Sequence, residues 1–230
     1  MTPLWKQATV AIGLATAVLL PAQAALISFN DIAPTLLLPG ESVVSNGFSF
    51  TALDGPGIVD TAAAFGPGTG LDLAAPNGNA SPFYVGLNDS FVRMTAIDNH
   101  VFRLVGLDLG FVSALTNLFN PGEVPGFLIA AYENASGGLG SEIFSLGAAD
   151  AMGEFSFRTV GQSGIGALAN GVRVIDFYAC TADATGNCAP LNNNFSQFAL
   201  DNLLVVPEPG SLALALAALA LTAGFSRRRA

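Results

Sequence analysis

The stretch Gln197-Phe198-Ala199-Leu200-Asp201-Asn202-Leu203-Leu204-Val205-Val206 indicates the kind of domain that this chain forms. Its apolar residues alternate with other residues around Phe198 and Leu200 and then run on from Leu203 to Val206. Alternation of this kind, in a segment rich in branched and aromatic side chains, is typical of a β-strand with one buried face. We therefore predict that residues 195–206 form the last strand of a β-domain.

Seven earlier segments have the same character and are separated by glycine, proline, asparagine and aspartate. They cover residues 47–53, 90–97, 100–112, 126–133, 142–146, 153–160 and 172–179. Period-two alternation is clearest in residues 153–158 and in Phe48-Ser49-Phe50. Eight strands with almost no helix predict an all-β fold of two antiparallel sheets packed face to face. A jelly-roll sandwich of the galactose-binding-like kind is the first choice, and an immunoglobulin-like sandwich is the second.

The first 24 residues have the features of a secretory signal peptide. A short basic region with Lys6 precedes an apolar stretch at residues 8–20, and Ala22-Gln23-Ala24 forms an A-x-A cleavage site. We predict cleavage after Ala24. The partners that this implies are the Sec translocon and signal peptidase.

The last 24 residues join three different elements in a fixed order. Pro207-Glu208-Pro209 comes first, an apolar run at residues 212–225 follows, and Arg227, Arg228 and Arg229 close the chain. The two prolines favour an extended, accessible peptide. We predict a transmembrane helix at residues 211–226 with its arginines on the cytoplasmic side. Because the apolar run is short against the roughly 20 residues of a full span, we expect a transient membrane stop that is later removed.

This tail resembles the PEP-CTERM sorting signal of Gram-negative bacteria. Gln197, Phe198 and Asp201 also match the QFxxD motif that marks a subset of PEP-CTERM proteins. The resemblance implies that an exosortase recognises residues 207–230 and that the chain enters the inner membrane only transiently. It also implies that a domain at residues 25–206 is exported to the cell surface or the extracellular matrix.

The composition of residues 25–206 restricts the partners of this domain. Four arginines stand against sixteen acidic residues, which gives a net charge of −12. A domain of this charge repels phosphate backbones, so we expect no nucleic-acid partner. Cys180 and Cys188 are the only cysteines, and in an oxidising compartment they are expected to form a disulfide. With a single histidine in the chain, a zinc site at this pair is disfavoured.

No catalytic group stands out in the sequence. His100 is the only histidine that could act as a base, and it lies between two predicted strands, where we expect an exposed turn. The glycine-rich region at residues 54–82 is either a loop that lines a ligand site or a disordered segment. None of its glycines precedes a lysine of the phosphate-binding kind, which excludes a phosphate-binding loop. We therefore predict a protein that is not an enzyme.

A structural calcium ion is the one cofactor that we consider. In calcium-binding relatives of the jelly-roll architecture, an acidic residue of the last strand and acids near the first strand share the ion. The corresponding residues here are Asp201, Asp31 and Glu41. Calcium prefers oxygen ligands of this type. The alternative is that Asp201 accepts hydrogen bonds from backbone groups in a turn.

These features together predict a structural or adhesive protein of an exopolysaccharide matrix or biofilm. One alternative is a carbohydrate-binding module that holds the exopolysaccharide itself, although the domain has three tyrosines and no tryptophan for stacking on sugars. Another is a hydrolase whose polar groups converge in a pocket that the sequence does not reveal.

Overall fold

Strands make up most of the regular structure in this chain. The computed structural model describes residues 24–115, 119–183, 185–189 and 195–208. Short 3-10 helices cover Ala62–Ala64, Gln162–Gly164 and Gly166–Asn170. The strands of the described ranges, numbered in chain order, are β1 Ala25–Ile27, β2 Thr35–Leu37, β3 Ser42–Ser45, β4 Phe48–Leu53, β5 Gly57–Asp60, β6 Leu73–Ala74, β7 Phe83–Gly86, β8 Phe91–Ala96, β9 Phe102–Phe111, β10 Ser113–Ala114, β11 Gly126–Asn134, β12 Leu139–Ser145, β13 Arg158–Val160, β14 Val172–Thr181 and β15 Phe198–Pro207.

The strands form an antiparallel two-sheet sandwich, which confirms the predicted fold class. The first sheet has the order β2-β5-β7-β15-β9, with β1 beside β15 and β13 beside β9. The second sheet has the order β3-β4-β8-β14-β11-β12. The pairing of Val172 with Phe102 joins the two sheets at one corner. Successive strands often change sheet, as β7 to β8 and β8 to β9 do, and connections of this kind are found in Greek-key sandwiches such as jelly rolls.

Seven of the eight predicted strands are present, but the prediction for residues 153–160 is largely wrong. Only Arg158–Val160 is a strand there. The preceding turn is held by the carboxylate of Asp150, which accepts hydrogen bonds from the backbone N–H groups of Met152 at 2.8 Å and Glu154 at 2.9 Å. Phe155 and Phe157 pack into two different hydrophobic clusters, whereas residues two apart on one strand share a face.

The main hydrophobic core lies between the two sheets, and a series of aromatic rings crosses it. Phe50 of the second sheet packs edge-on against Phe29, with ring centroids 4.9 Å apart. Phe29 lies 6.2 Å from Tyr84, which in turn lies 6.5 Å from Phe198 of the same sheet. The Phe29 ring therefore connects the two sheets directly.

A second, smaller cluster covers the outer face of the first sheet. It contains Phe83, Val85 and Ala199 from the sheet itself, together with Phe65 and Leu73 from the segment between β5 and β7. The glycine-rich region that the sequence left open thus folds over one side of the sandwich. No comparable cluster appears on the outer face of the second sheet among the described residues, and we call that surface the open face.

A bulge interrupts β15 at Asp201 and Asn202. Leu200 and Leu203 both point into the main core although three positions separate them, so one extra residue must shift the alternation. Asn202 has a φ of 48°, in the left-handed region that asparagine tolerates better than most residues. At this point β15 changes its partner from β7 to β1.

Cys180 and Cys188 form a disulfide, which confirms the predicted bridge. Their Cα atoms are 5.3 Å apart. Within the enclosed loop, Asp183 accepts hydrogen bonds from the backbone N–H groups of Thr185 at 2.8 Å and Asn187 at 3.0 Å. The hydrogen bonds from Thr185 and Asn187 also lower the pKa of Asp183. The loop is therefore held both by the covalent bridge and by its own carboxylate.

Several predicted elements lie outside the described residues. They are residues 1–23 of the signal peptide, Pro209, the apolar segment 211–226 and the three terminal arginines. Within the described ranges, no helix has the length and apolar character needed to cross a membrane.

Candidate functional site: the open face of the sandwich

The open face carries a continuous row of apolar side chains across five strands. The strand register places Ile143, Ile129, Tyr178, Phe91 and Leu53 directly beside one another. We call this set the apolar row, and it spans about 19 Å at the usual spacing of neighbouring strands. The rings of Phe91 and Tyr178 stack in its middle with centroids 4.5 Å apart. Ile143 is 62% exposed and the other four side chains are partly buried, so the aromatic and aliphatic surface of this face is only partly covered within the described domain.

A second row of mostly polar residues runs parallel to the apolar row. It consists of Ser141, Ala131, Asp176, Arg93, Thr51 and Ser42. Arg93 donates two hydrogen bonds of 2.8 Å to the Asp176 carboxylate, which also raise the pKa of Arg93. The hydroxyls of Ser42 and Thr51 are 2.8 Å apart. This polar row can donate and accept hydrogen bonds along the edge of the apolar row.

The open face is close to neutral although the domain is strongly acidic. Of the four arginines at residues 25–206, Arg93 is the one that the strand register places at an outward position of this sheet, whereas Arg173 lies at the register shift of β14. The acidic residues at outward positions of the same strands are Asp176 and Glu133. One positive charge and two negative ones leave the open face with a net charge of −1, against −12 for the whole domain. A polymer or a second acidic protein meets less repulsion here than at an average point on the domain.

A cleft of about 470 Å³ lies on the opposite side of the sandwich. Its lining includes Phe65, Asn77 and Asn79 of the glycine-rich segment, together with Leu115 and Glu154. Asn77 donates a hydrogen bond of 2.9 Å to the Glu154 carboxylate.

Asp201, the acid of the QFxxD motif, is buried at the bulge of β15. Its Oδ2 atom accepts hydrogen bonds from the Asn79 side chain at 2.6 Å and from the Ser81 hydroxyl at 3.2 Å. Its Oδ1 atom has no hydrogen-bond partner among the described residues. Burial raises the pKa of Asp201, and the nearby charge of Asp108 acts in the same direction. Asp201 therefore fastens the glycine-rich segment to the last strand.

The other two motif residues have structural surroundings as well. Phe198 is fully buried in the main core. Gln197 is almost fully buried, and its backbone carbonyl accepts a hydrogen bond from the Val112 N–H at 3.4 Å. The motif thus marks the point where the last strand enters the sandwich.

Asp201→Asn is expected to remove a pH dependence of stability. The folded-state pKa of Asp201 is raised, so the fold favours the protonated carboxyl. The stability that this carboxyl contributes is fully present below the unfolded-state pKa of about 3.9, and it is lost as pH rises through the folded-state pKa. Relative to the wild type, the free energy of unfolding of the variant should increase from about pH 3 to about pH 7. Denaturant titrations across this range measure the difference, with the exposed Asp72→Asn as control. A difference in the free energy of unfolding between Asp201→Asn and the wild type that stays constant with pH would contradict a raised pKa for Asp201.

The three residues considered for calcium have separate hydrogen-bond partners. Asp31 accepts hydrogen bonds from the Ser45 hydroxyl at 2.6 Å and the Asn46 N–H at 3.2 Å. Against the effect of burial, these bonds lower the pKa of Asp31. Glu41 accepts a bond of 2.8 Å from the Leu38 N–H, and Asp201 is bonded as described above. No group of three acidic, histidine or cysteine residues in the described ranges is arranged to hold a metal ion.

His100 lies in the turn between β8 and β9, and its side chain is partly buried rather than fully exposed. Its Nδ1 atom pairs with the Asp98 carboxylate, and this hydrogen bond lowers the pKa of Asp98. The imidazole also packs edge-on against Phe48, with centroids 5.8 Å apart. Both contacts hold the ring in the turn. They give His100 a structural role at this end of the core.

No family model matches the chain, and no curated protein matches it. The chain is similar to a solved structure of a DUF4465 family protein from Bacteroides caccae, at 13% identity and a TM-score of 0.46. That match covers 81% of this chain and 100% of the other chain.

The structure brings together surface residues that sequence reasoning did not single out. Phe91, Tyr178 and Ile143 were visible only as parts of separate predicted strands. Their proximity depends on the order and register of β8, β14, β11 and β12. The alternating pattern of each strand could have marked them as outward positions, but it does not indicate which strands become neighbours.

Proposed function

We propose that this protein is exported across the inner membrane of a Gram-negative bacterium and sorted by an exosortase to the cell surface or extracellular matrix. The observation that carries this proposal is the tail itself, with Pro207-Glu208-Pro209, an apolar run and three arginines in that order. Pro207 is also the last residue of β15, so the sorting signal begins where the last strand ends. The disulfide is in keeping with an oxidising compartment.

Within the matrix or biofilm, we propose a structural or adhesive role without catalysis. An antiparallel sandwich with a rigid aromatic core can serve as a building block. Its open face offers apolar and hydrogen-bonding groups for contacts with other matrix components. His100 and Asp201 form hydrogen bonds to other side chains of the domain, so we assign them structural and not catalytic roles.

Carbohydrate binding is a second candidate function, and one observation favours it. The stacked rings of Phe91 and Tyr178 lie on the open face beside the Arg93–Asp176 pair. Sugar-binding surfaces combine apolar contacts with hydrogen bonds of this kind. In this function the same face would hold the exopolysaccharide, and the sorting route would be unchanged.

Glu208→Ala is expected to retain the protein in the inner membrane. The substitution removes the only charge of the Pro-Glu-Pro peptide and leaves the apolar run and the arginines intact, so insertion should persist while recognition by the exosortase fails. Cell fractionation and immunoblotting measure the distribution in a host that has the sorting enzyme.

His100→Ala is the matched control and is expected to be sorted and to act as the wild type does. Release of the Glu208→Ala variant at the wild-type level would refute exosortase sorting. Loss of the matrix phenotype in His100→Ala, with correct localisation and an unchanged melting temperature, would refute the non-catalytic role and point to chemistry at this histidine.

A further inference from the structure

Strand β12 has an unpaired edge. It pairs with β11 along one side, and the described residues provide no strand on its other side. Its sequence Leu-Gly-Ser-Glu-Ile-Phe-Ser contains no proline, lysine or arginine, although these residues commonly protect such edges. An edge of this kind is open to pairing with another strand.

The outward side chains of β12 are also unusually apolar for a free edge. Leu139 is 85% exposed and Ile143 is 62% exposed, with Ser141 between them on the open face. Glu142 points to the other side, where it accepts a hydrogen bond of 2.7 Å from the Ala167 N–H of the helix Gly166–Asn170. The Glu142 carboxylate is thus bonded within the domain, whereas the described residues leave most of the Leu139 and Ile143 side chains exposed.

We propose that two copies of this chain pair antiparallel through β12, with Ser141 opposite Ser141 of the second copy. In this register Leu139 of each copy faces Ile143 of the other, which gives two apolar cross-strand pairs. Glu142 then faces Gly140, which has no side chain. A shift that centres the pair on Glu142 would set two carboxylates opposite each other, and like charges in that position are destabilising.

A second copy fits this edge better than a different partner does. A two-fold axis brings the same patch of both copies together, and the two ends of β12 match each other in the register above. The near-neutral open face lets two domains of net charge −12 approach along this sheet. Pairing would also join two six-stranded sheets and extend the open face, which suits a matrix building block. The proposal rests on the structural role proposed above, but it can be tested independently of sorting.

Disulfide trapping in the full-length chain tests the pairing. The two cysteines of the chain are joined to each other, so Ser141→Cys introduces a single new thiol. Directly opposite residues of paired strands have Cβ atoms close enough for a disulfide after small shifts. Non-reducing electrophoresis of oxidised cells should show most of the Ser141→Cys chain at twice the monomer mass.

Ser42→Cys is the matched control because Ser42 occupies the opposite end of the same polar row, on edge strand β3. It is expected to remain monomeric. Adding Ile143→Lys to Ser141→Cys should abolish the dimer, whereas Val44→Lys should leave it unchanged. Equal trapping at Ser42 and Ser141, trapping insensitive to Ile143→Lys, or no dimer with Ser141→Cys would each overturn the proposal.

This test is separable from sorting, since Glu208→Ala can be combined with Ser141→Cys. The retained protein should still form the trapped dimer if β12 pairs two copies. Failure of exosortase sorting would change the location of the dimer and not its presence. If digestion of the matrix polysaccharide before oxidation prevented formation of the trapped dimer, sugar would be shown to link the copies, and direct pairing would also be overturned.

Discussion

Phe29→Ala is expected to lower the free energy of unfolding by about 3–5 kcal/mol. Phe29 is fully buried, and it is the ring through which Phe50 of the second sheet meets Tyr84 of the first. Truncation removes its contacts with both sheets and leaves a cavity between them. Phe29 also has a φ of 54°, a conformation unfavourable for a bulky side chain, so the packing of the ring must offset this local strain.

Thermal or denaturant unfolding followed by circular dichroism measures this loss. For a domain of this size, about 3–5 kcal/mol corresponds to a fall in Tm of roughly 6–20 °C. Leu26→Ala is a suitable control because Leu26 lies nearby in β1 but is half-exposed, and its effect should be below about 1 kcal/mol. Equal losses for the two variants would show that Phe29 does not connect the sheets in the way described.

The longer strands could be predicted because each contains enough residues to show its alternation. β4 is buried at every second position, and the segment Phe48-Ser49-Phe50 displays this pattern in the sequence. Strands such as β1, β2 and β6 contain only two or three residues. Segments this short have no measurable period, and their strand character comes from pairing with distant parts of the chain.

The false strand at residues 153–157 has a specific cause. Phe155 and Phe157 flank a serine and imitate the period of two, but the turn at Asp150 sends their rings into different clusters. Local pattern cannot distinguish two phenylalanines that share a face from two that diverge at a turn. The turn depends on the hydrogen bonds from Met152 and Glu154 to the Asp150 carboxylate, and these form only in the folded loop.

The candidate site was less predictable than the fold. Asp201 could be identified from its motif, but its partner Asn79 lies far away in the sequence and nothing local connects the two. The same holds for the pair Phe91 and Tyr178, which depends on the register of β8 against β14. The bulge at Asn202 is the exception, because the sequence around it contains an indication. Leu200 and Leu203 are three positions apart, which breaks the alternation of a regular strand and is typical of a bulge between them.

Processing at both ends is expected to leave a chain that begins at Ala25 and ends near Pro207 to Pro209. Ala25 is the first residue of β1 and pairs with Val205 of β15. Cleavage after Ala24 therefore preserves the whole of β1, whereas a cut a few residues later would remove the strand and expose the edge of β15. The expected C-terminal cut would lie just beyond β15, which ends at Pro207. Cuts at the two expected sites would thus leave the paired strands β1 and β15 intact.

Intact-mass spectrometry of the protein released by a host with the sorting enzyme shows whether the tail directs sorting. We expect a single domain-sized species that starts at Ala25, contains the Cys180–Cys188 disulfide and stops near Pro207 to Pro209. The same gene in a host without the enzyme should give a membrane-bound chain that still ends in Arg227, Arg228, Arg229 and Ala230. A released species that retains Arg227 to Arg229 would contradict sorting through this tail.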